Sequence, residues 1–238
     1  MLASTVQAAM SKTVALDAHA MRQTLEEGAR TLGLALTVGQ FALLLDYLAL
    51  IQKWNKVYNL TAVRAPAEML THHLLDSLAA VLPLRHQTGG RAIKLLDVGA
   101  GAGLPGVVIA ICCPDIQVTC VDTVAKKAAF ISQVALVLKL PNLRGLHARV
   151  ESLSDGFDVV CSRAFASLLD FTNWSRSALM RADAESANPT GIWMALKGKP
   201  PTDELAVLPV DLDVFHVEQL RVPGLDAERC IVWMRLKP

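Results

Sequence analysis

The 238-residue chain lacks any apolar run long enough to cross a bilayer. Its longest unbroken stretch, Val107 to Cys113, is far short of the ~20 residues a spanning helix needs. The Leu-rich stretch from Phe41 to Ile51 is interrupted by Asp46. The first residues carry only Lys12 as an early positive charge and no continuous apolar segment, which argues against a secretory signal. Charge of one sign is also missing: 23 Lys plus Arg face 22 Asp plus Glu. That balance neither suggests nor excludes nucleic acid, because binding depends on where the charges lie. The five cysteines contain no C-x-x-C pair and sit in or beside apolar runs, as in Val-Thr-Cys120-Val and Val-Val-Cys161-Ser. They read as buried hydrophobes of a reducing compartment, which argues against a disulfide framework or a structural zinc. With 53% hydrophobic and 19% charged residues the chain is no disordered or low-complexity protein. A cytoplasmic protein without membrane or metal is expected.

What is present falls into two patterns. Residues 1–13 are expected to be disordered. From Val14 to about residue 88 the periodicity is helical. Thr37-Val-Gly-Gln40 has the form of a capping box, and Val38, Phe41, Leu44, Leu45, Leu48 and Ile51 follow at helical spacing. A further helix is predicted from Pro66, carrying Leu70, Leu74, Leu75, Leu78 and Leu82. From residue 89 onward short β-type runs alternate with helical runs. Strands are predicted at Lys94–Val98, Gln117–Val121, Leu143–His147, Phe157–Cys161 and Ile192–Leu196. Helices are predicted near Pro105–Cys112, Ala125–Leu140 and Leu168–Met180. This alternation implies a parallel sheet with helices on both faces. Asp213–Leu220 and Arg229–Leu236 have no helical run between them and predict a closing antiparallel pair, and Asn188-Pro-Thr-Gly191 predicts a turn.

The strongest chemical signal is Leu95-Leu-Asp97-Val-Gly99-Ala-Gly101-Ala-Gly103-Leu104-Pro105-Gly106. A buried strand there feeds a glycine-rich turn and then a helix, whose first N–H groups are free to meet a ligand. About 20 residues beyond Gly101, Asp122 ends the second strand, where an acid can grip both hydroxyls of a ribose. Gly101-x-Gly103-x-x-Gly106 also fits the dinucleotide fingerprint, so a nicotinamide- or flavin-dependent oxidoreductase is one reading. Asp97, two residues before the first glycine, gives a pyrophosphate nothing. It suits the cationic amino and sulfonium groups of S-adenosylmethionine.

Further segments carry a resemblance. Val121-Asp122-Thr-Val-Ala-Lys126-Lys127, Arg149-Val150-Glu151, Ser162-Arg163-Ala-Phe-Ala-Ser167, Ala195-Leu-Lys197-Gly198 and Leu225-Asp-Ala-Glu-Arg229 follow the glycine turn in order. Trp54-Asn-Lys-Val-Tyr58-Asn-Leu-Thr61 and His73-Leu-Leu-Asp76-Ser-Leu78 precede it. Together they resemble the RsmG (GidB) family of bacterial 16S rRNA methyltransferases, which methylate N7 of one guanine in the 530 loop. The resemblance implies a Rossmann-like class I AdoMet-dependent methyltransferase: a mostly parallel seven-stranded sheet, the last strand antiparallel, with a small N-terminal helical subdomain. It implies S-adenosylmethionine as cofactor, held by Asp97, Gly99, Gly101, Leu104, Asp122, Val150, Glu151 and Arg163. It implies Arg163 and Lys197 as catalytic residues, and Lys126, Arg149, Lys197 and Arg229 as rRNA contacts. The partner would be 16S rRNA or the 30S subunit, and the chain a monomer. Cys120, Val124-Ala125 and Cys230 depart from residues usual in the family.

The chemistry agrees with that reading. Guanine N7 has a free lone pair, so its methylation asks for orientation and electrostatics more than for a base. The chain has no Asn/Asp-Pro-Pro-Tyr segment, as exocyclic amine methylation would suggest, and no Pro-Cys dipeptide for a cysteine nucleophile. A binding-only rRNA assembly factor is the other alternative. Trp54 and Tyr58, four apart among lysines, are read as helix packing before RNA contact. His72, His73 and Asp76 are read as a hydrogen-bonded cluster before a metal site.

Overall fold

The computed structural model describes residues 18–180 and 191–237. The expectation for residues 1–13, and most of the turn at 188–191, lie outside them. A helix over 18–31 (α1) is followed by α2 (Val38–Tyr58). The capping box forms as the spacing requires: Gln40 N–H donates to Thr37 Oγ1, and Thr37 N–H donates to Gln40 Oε1. Pro66 opens α3 (Pro66–Met69), but the predicted single helix is interrupted. A wide π-type stretch occupies Leu70–Leu75, followed by α4 (Asp76–Leu78) and α5 (Val81–Thr88). Such π turns inside helices are frequent at functional sites.

The sheet-forming part runs β1 (Lys94–Val98), α6 (Gly106–Cys112), β2 (Gln117–Asp122), α7 (Ala125–Val137), β3 (Leu143–His147), β4 (Val159–Arg163), α8 (Leu168–Ser175), β5 (Ile192–Lys197), α9 (Thr202–Ala206), β6 (Leu212–Leu220) and β7 (Arg229–Leu236). The seven strands lie in the order β3-β2-β1-β4-β5-β7-β6. The first five are mutually parallel, and β7 runs antiparallel between β5 and β6. Alternate strand residues feed two cores. Leu95, Val118, Val159, Met194 and Trp233 share one with α1, α2, α6 and α7, while Leu96, Val121, Val160, Trp193 and Val232 meet α8 on the other face. The N-terminal helices thus belong to one of the sheet's own cores. The chain leaves β1 toward β2 and later returns past it to β4, which makes the carboxyl ends of β1 and β4 the switch point where such sheets bind ligands.

Three boundaries moved for identifiable reasons. Phe157, predicted to open the fourth strand, instead pairs its backbone with Ala178 and Met180, so β4 starts at Val159. That same pairing draws Leu179 into an extended conformation, and α8 ends at Ser175 instead of running to Met180. Helix α7 stops at Val137 because Lys139 takes a left-handed φ of 53°.

Candidate active site

The glycine turn after β1 is built from both sides. Gly99, Gly101 and Gly103 have φ of 66°, 59° and 90°, a region closed to most side chains. Gly99 N–H donates to the carbonyl of Val121, and Gly101 N–H to Asp122 Oδ2 at 3.0 Å. Asp122 Oδ1 accepts from Val124 N–H at 2.8 Å, and Lys127 Nζ lies 3.8 Å from Oδ2. From the N-terminal side, the buried Tyr47 hydroxyl of α2 donates to the carbonyl of Ala102 at 2.6 Å. Burial, with the Cys120 thiol beside it, drives the Tyr47 hydroxyl's pKa well up, so it stays a donor.

Asp97 requires a correction. It was expected to face the ligand, yet it is wholly buried and lines neither cleft at the turn. Its Oδ2 accepts from Gly106 N–H at 2.9 Å, and its neighbours in register are Cys120 and Cys161. Burial raises its pKa to about 7 against the lowering effect of the Gly106 N–H. A carboxyl so placed meets the start of α6 and neither cleft. It braces the turn from beneath.

Two clefts meet above this turn, and Gly99 and Ala164 line both. The first, about 480 Å³, contains Asp122, Lys127, Arg149, Val150, Glu151, Phe165 and Trp174. The second, about 460 Å³, contains Gly101, Leu104, His72, His73, Asp76, Arg163, Lys197 and Arg229. Both fall within the range of small-molecule sites. Phe165 sits at the junction. Its ring lies so close to the turn that a Cβ on Gly99 would stand 2.3 Å from it, and its edge meets Trp174 with centroids 5.8 Å apart.

The second cleft is charged and internally paired. Arg163 Nη1 donates to Asp76 Oδ2 at 2.7 Å and to the His72 carbonyl at 3.0 Å. Arg229 Nε donates to Asp76 Oδ1 at 2.8 Å. Lys197 Nζ donates to both oxygens of Glu204 and to the Ala166 carbonyl, each at 2.9 Å. His73 Nε2 lies 2.9 Å from Thr61 Oγ1, and Thr61 N–H donates to Asn55 Oδ1. Burial first, then the Arg163 charge, lowers the His73 pKa to about 4. The side chains of His73 and Asp76 are thus held by hydrogen bonds to other residues. Trp54 packs on Tyr58 and on Phe130 of α7, at 5.1 and 5.3 Å between centroids.

A family model described as "rRNA small subunit methyltransferase G" matches residues 40–232. The chain belongs to that family. It is 67% identical over 219 residues to "Ribosomal RNA small subunit methyltransferase G" of Polaromonas sp. strain JS666, with 90% of this chain and 93% of that protein covered. It is 62% identical over 223 residues to the protein of the same name from Acidovorax ebreus strain TPSY, covering 90% and 95%. Among solved structures, a SAM dependent methyltransferase from Aquifex aeolicus matches with TM-score 0.50 and 15% identity over 72% of this chain and 99% of that one. N-methyltransferase NodS from Bradyrhizobium japonicum WM9, in complex with S-adenosyl-l-homocysteine, matches with TM-score 0.50 and 13% identity over 79% and 100%. These likenesses place the sheet in the class I methyltransferase fold.

Among the residues expected to act in this family member, Gly99, Gly101, Leu104, Arg163, Lys197 and Arg229 converge on the second cleft, and Asp122, Arg149, Val150 and Glu151 on the first. Lys126 is exposed at the start of α7 and lines neither; its neighbour Lys127 turns toward Asp122. Sequence reasoning missed Tyr47, Phe165, Trp174 and Glu204 as parts of the site. For Asp76 it saw a hydrogen-bonded residue without its two arginine partners.

Proposed function

We infer that this chain transfers a methyl group from S-adenosylmethionine to N7 of a guanine in the 530 loop of 16S rRNA. The observation that carries this is the meeting of the two clefts at Gly99 and Ala164, with the family's Ser-Arg-Ala-Phe-Ala-Ser segment forming their shared wall. The cradle suits the cofactor. A turn without side chains at Gly99 and Gly101, a carboxylate at Asp122 and an apolar shelf at Val150 match a nucleoside whose two ends differ in polarity. When bound, S-adenosylmethionine supplies a methyl group on an electron-poor sulfur.

The chain's own residues do the rest. Gly99, Gly101 and Leu104 bound the methionine end, and Asp122, Val150 and Glu151 the adenosine end. Arg163 and Lys197 face the target base, while Lys126, Arg149 and Arg229 offer cations to RNA phosphate. N7 presents a lone pair, so no proton has to leave it. His73, with a pKa near 4, would be a poor acceptor of one. Orientation and local charge are what the second cleft supplies.

The deciding experiment incubates the protein with methyl-labelled S-adenosylmethionine and 30S subunits lacking the N7 methyl group in the 530 loop, then maps the label. Label on that guanine is expected. Label elsewhere on the RNA would keep the methyltransferase and discard the target. Cofactor binding without transfer would favour the binding-only alternative.

A further inference from the structure

Asp76 ties together three parts of the chain that nothing local in the sequence connects. It stands where the π-type stretch passes into α4, Arg163 ends β4 and Arg229 begins β7. Its carboxylate is nearly sealed from solvent, and each oxygen takes one guanidinium: Oδ2 from Arg163 at 2.7 Å and Oδ1 from Arg229 at 2.8 Å. Arg163 commits Nη1 to Asp76 and the His72 carbonyl, while its Nε and Nη2 hydrogens make no hydrogen bond among the described residues. Arg229 is braced a second time by Nη1 on the Glu228 carbonyl. All three side chains line the second cleft. Two guanidiniums sharing one carboxylate keep a net charge of +1, and their geometry is set from a single point.

We propose that Asp76 is a positioning residue for methyl transfer: it fixes Arg163 and Arg229 as one rigid fork, holding Arg163 toward the target base and Arg229 toward RNA phosphate. The proposal rests on the function inferred above. The carboxylate touches no reacting atom and acts through the arginines. Charge-assisted bonds of this length hold direction as well as charge, and small displacements away from the reacting atoms can cost about 10²-fold in rate.

The test uses full-length protein in four forms besides wild type: Asp76→Asn, Asp76→Glu, Arg163→Ala, and Asp76→Asn combined with Arg163→Ala. For each, kcat and KM are measured on unmethylated small subunits, with S-adenosylmethionine affinity and thermal unfolding as controls. Asp76→Asn is expected to lower kcat by about 10²-fold while cofactor affinity stays at the wild-type value. Asp76→Glu, which keeps the charge but moves it by one methylene, is expected to fall between the two. In the Arg163→Ala background the Asp76→Asn change should cost much less than it does alone, because only the hold on Arg229 remains to be lost. A folded Asp76→Asn protein with wild-type kcat overturns the proposal, as do losses that simply multiply in the double variant. If Asp76→Asn does not fold, wild-type kcat in Asp76→Glu overturns it. An active wild type with these outcomes leaves the functional reading standing, whereas a wild type that transfers no methyl group overturns both.

Discussion

Asp97 and His73 are buried groups whose pKa values move so that their effects on stability oppose each other. The Asp97 carboxyl is raised from 3.8 to about 7 and His73 lowered from 6.5 to about 4, burial being the leading cause in both. For Asp97 the folded state binds the proton more tightly, so its stabilisation is complete below pH 3.8 and is lost as pH rises through 7. For His73 the unfolded state binds more tightly, so stability is lost as pH falls from 6.5 toward 4. Between about pH 4 and 6.5 the two slopes cancel. Asp97→Asn keeps an acceptor for Gly106 N–H and removes one slope. Denaturant titrations should then show stability falling on acidification across that window, by roughly a few kcal/mol, where wild type is flatter. An unchanged profile would overturn this account. Gly99→Ala tests the turn itself. The left-handed backbone costs a side chain ~1–2 kcal/mol, and the Phe165 ring leaves its Cβ no room. Lower stability or about tenfold weaker S-adenosylmethionine binding is expected, and retention of both would show that the turn can relax.

At the scale of elements, α2 reaches the site through Tyr47 and α7 through Lys127. Tyr47→Phe leaves the Ala102 carbonyl buried without its donor, which should cost about 1–3 kcal/mol in denaturant unfolding and loosen the cofactor turn. A variant as stable as wild type would argue that the bond contributes nothing. Elements were largely legible from pattern alone. The strands at Lys94–Val98 and Leu143–His147 and the closing strand Arg229–Leu236 stand where periodicity placed them, because apolar runs bounded by turns have few other solutions. The π-type stretch was not legible, since one extra residue per turn leaves the spacing of Leu70, Leu74 and Leu78 compatible with an ordinary helix. Asp122 and the glycine turn were readable because 21 residues separate partners within one βαβ unit. The bonds from Asp76 to Arg163 and Arg229 span 87 and 153 residues, and no window along the chain contains them.

At the scale of the whole molecule, the N-terminal helices and the sheet bury one another. Leu25, Leu44, Leu48 and Ile51 share a core with Leu95, Val107 and Ile131, and Gln40 caps the carbonyls of Ile111 and Cys112 at the end of α6. A fragment of residues 89–238 would expose that whole apolar face. It should fail to fold cooperatively by circular dichroism and hydrogen exchange, and a cooperative fragment that binds S-adenosylmethionine would refute this. The reversal of β7 carries one more consequence. Because β7 runs against its neighbours, its first residues and not its last arrive at the edge where the parallel strands end, with Cys230 beside Lys197. Arg229 comes last in the chain among the charged residues of the two clefts, and among the described residues β6 pairs with the sheet only through β7. A growing chain could therefore assemble the cleft beside Asp122 from the ends of β1, β2, β3 and β4 while the cleft beside Arg163 still lacked a wall. Because β7 carries Trp233 into the core and Arg229 into the cleft wall, the cleft beside Arg163 is complete only once the last strand of the chain is in place.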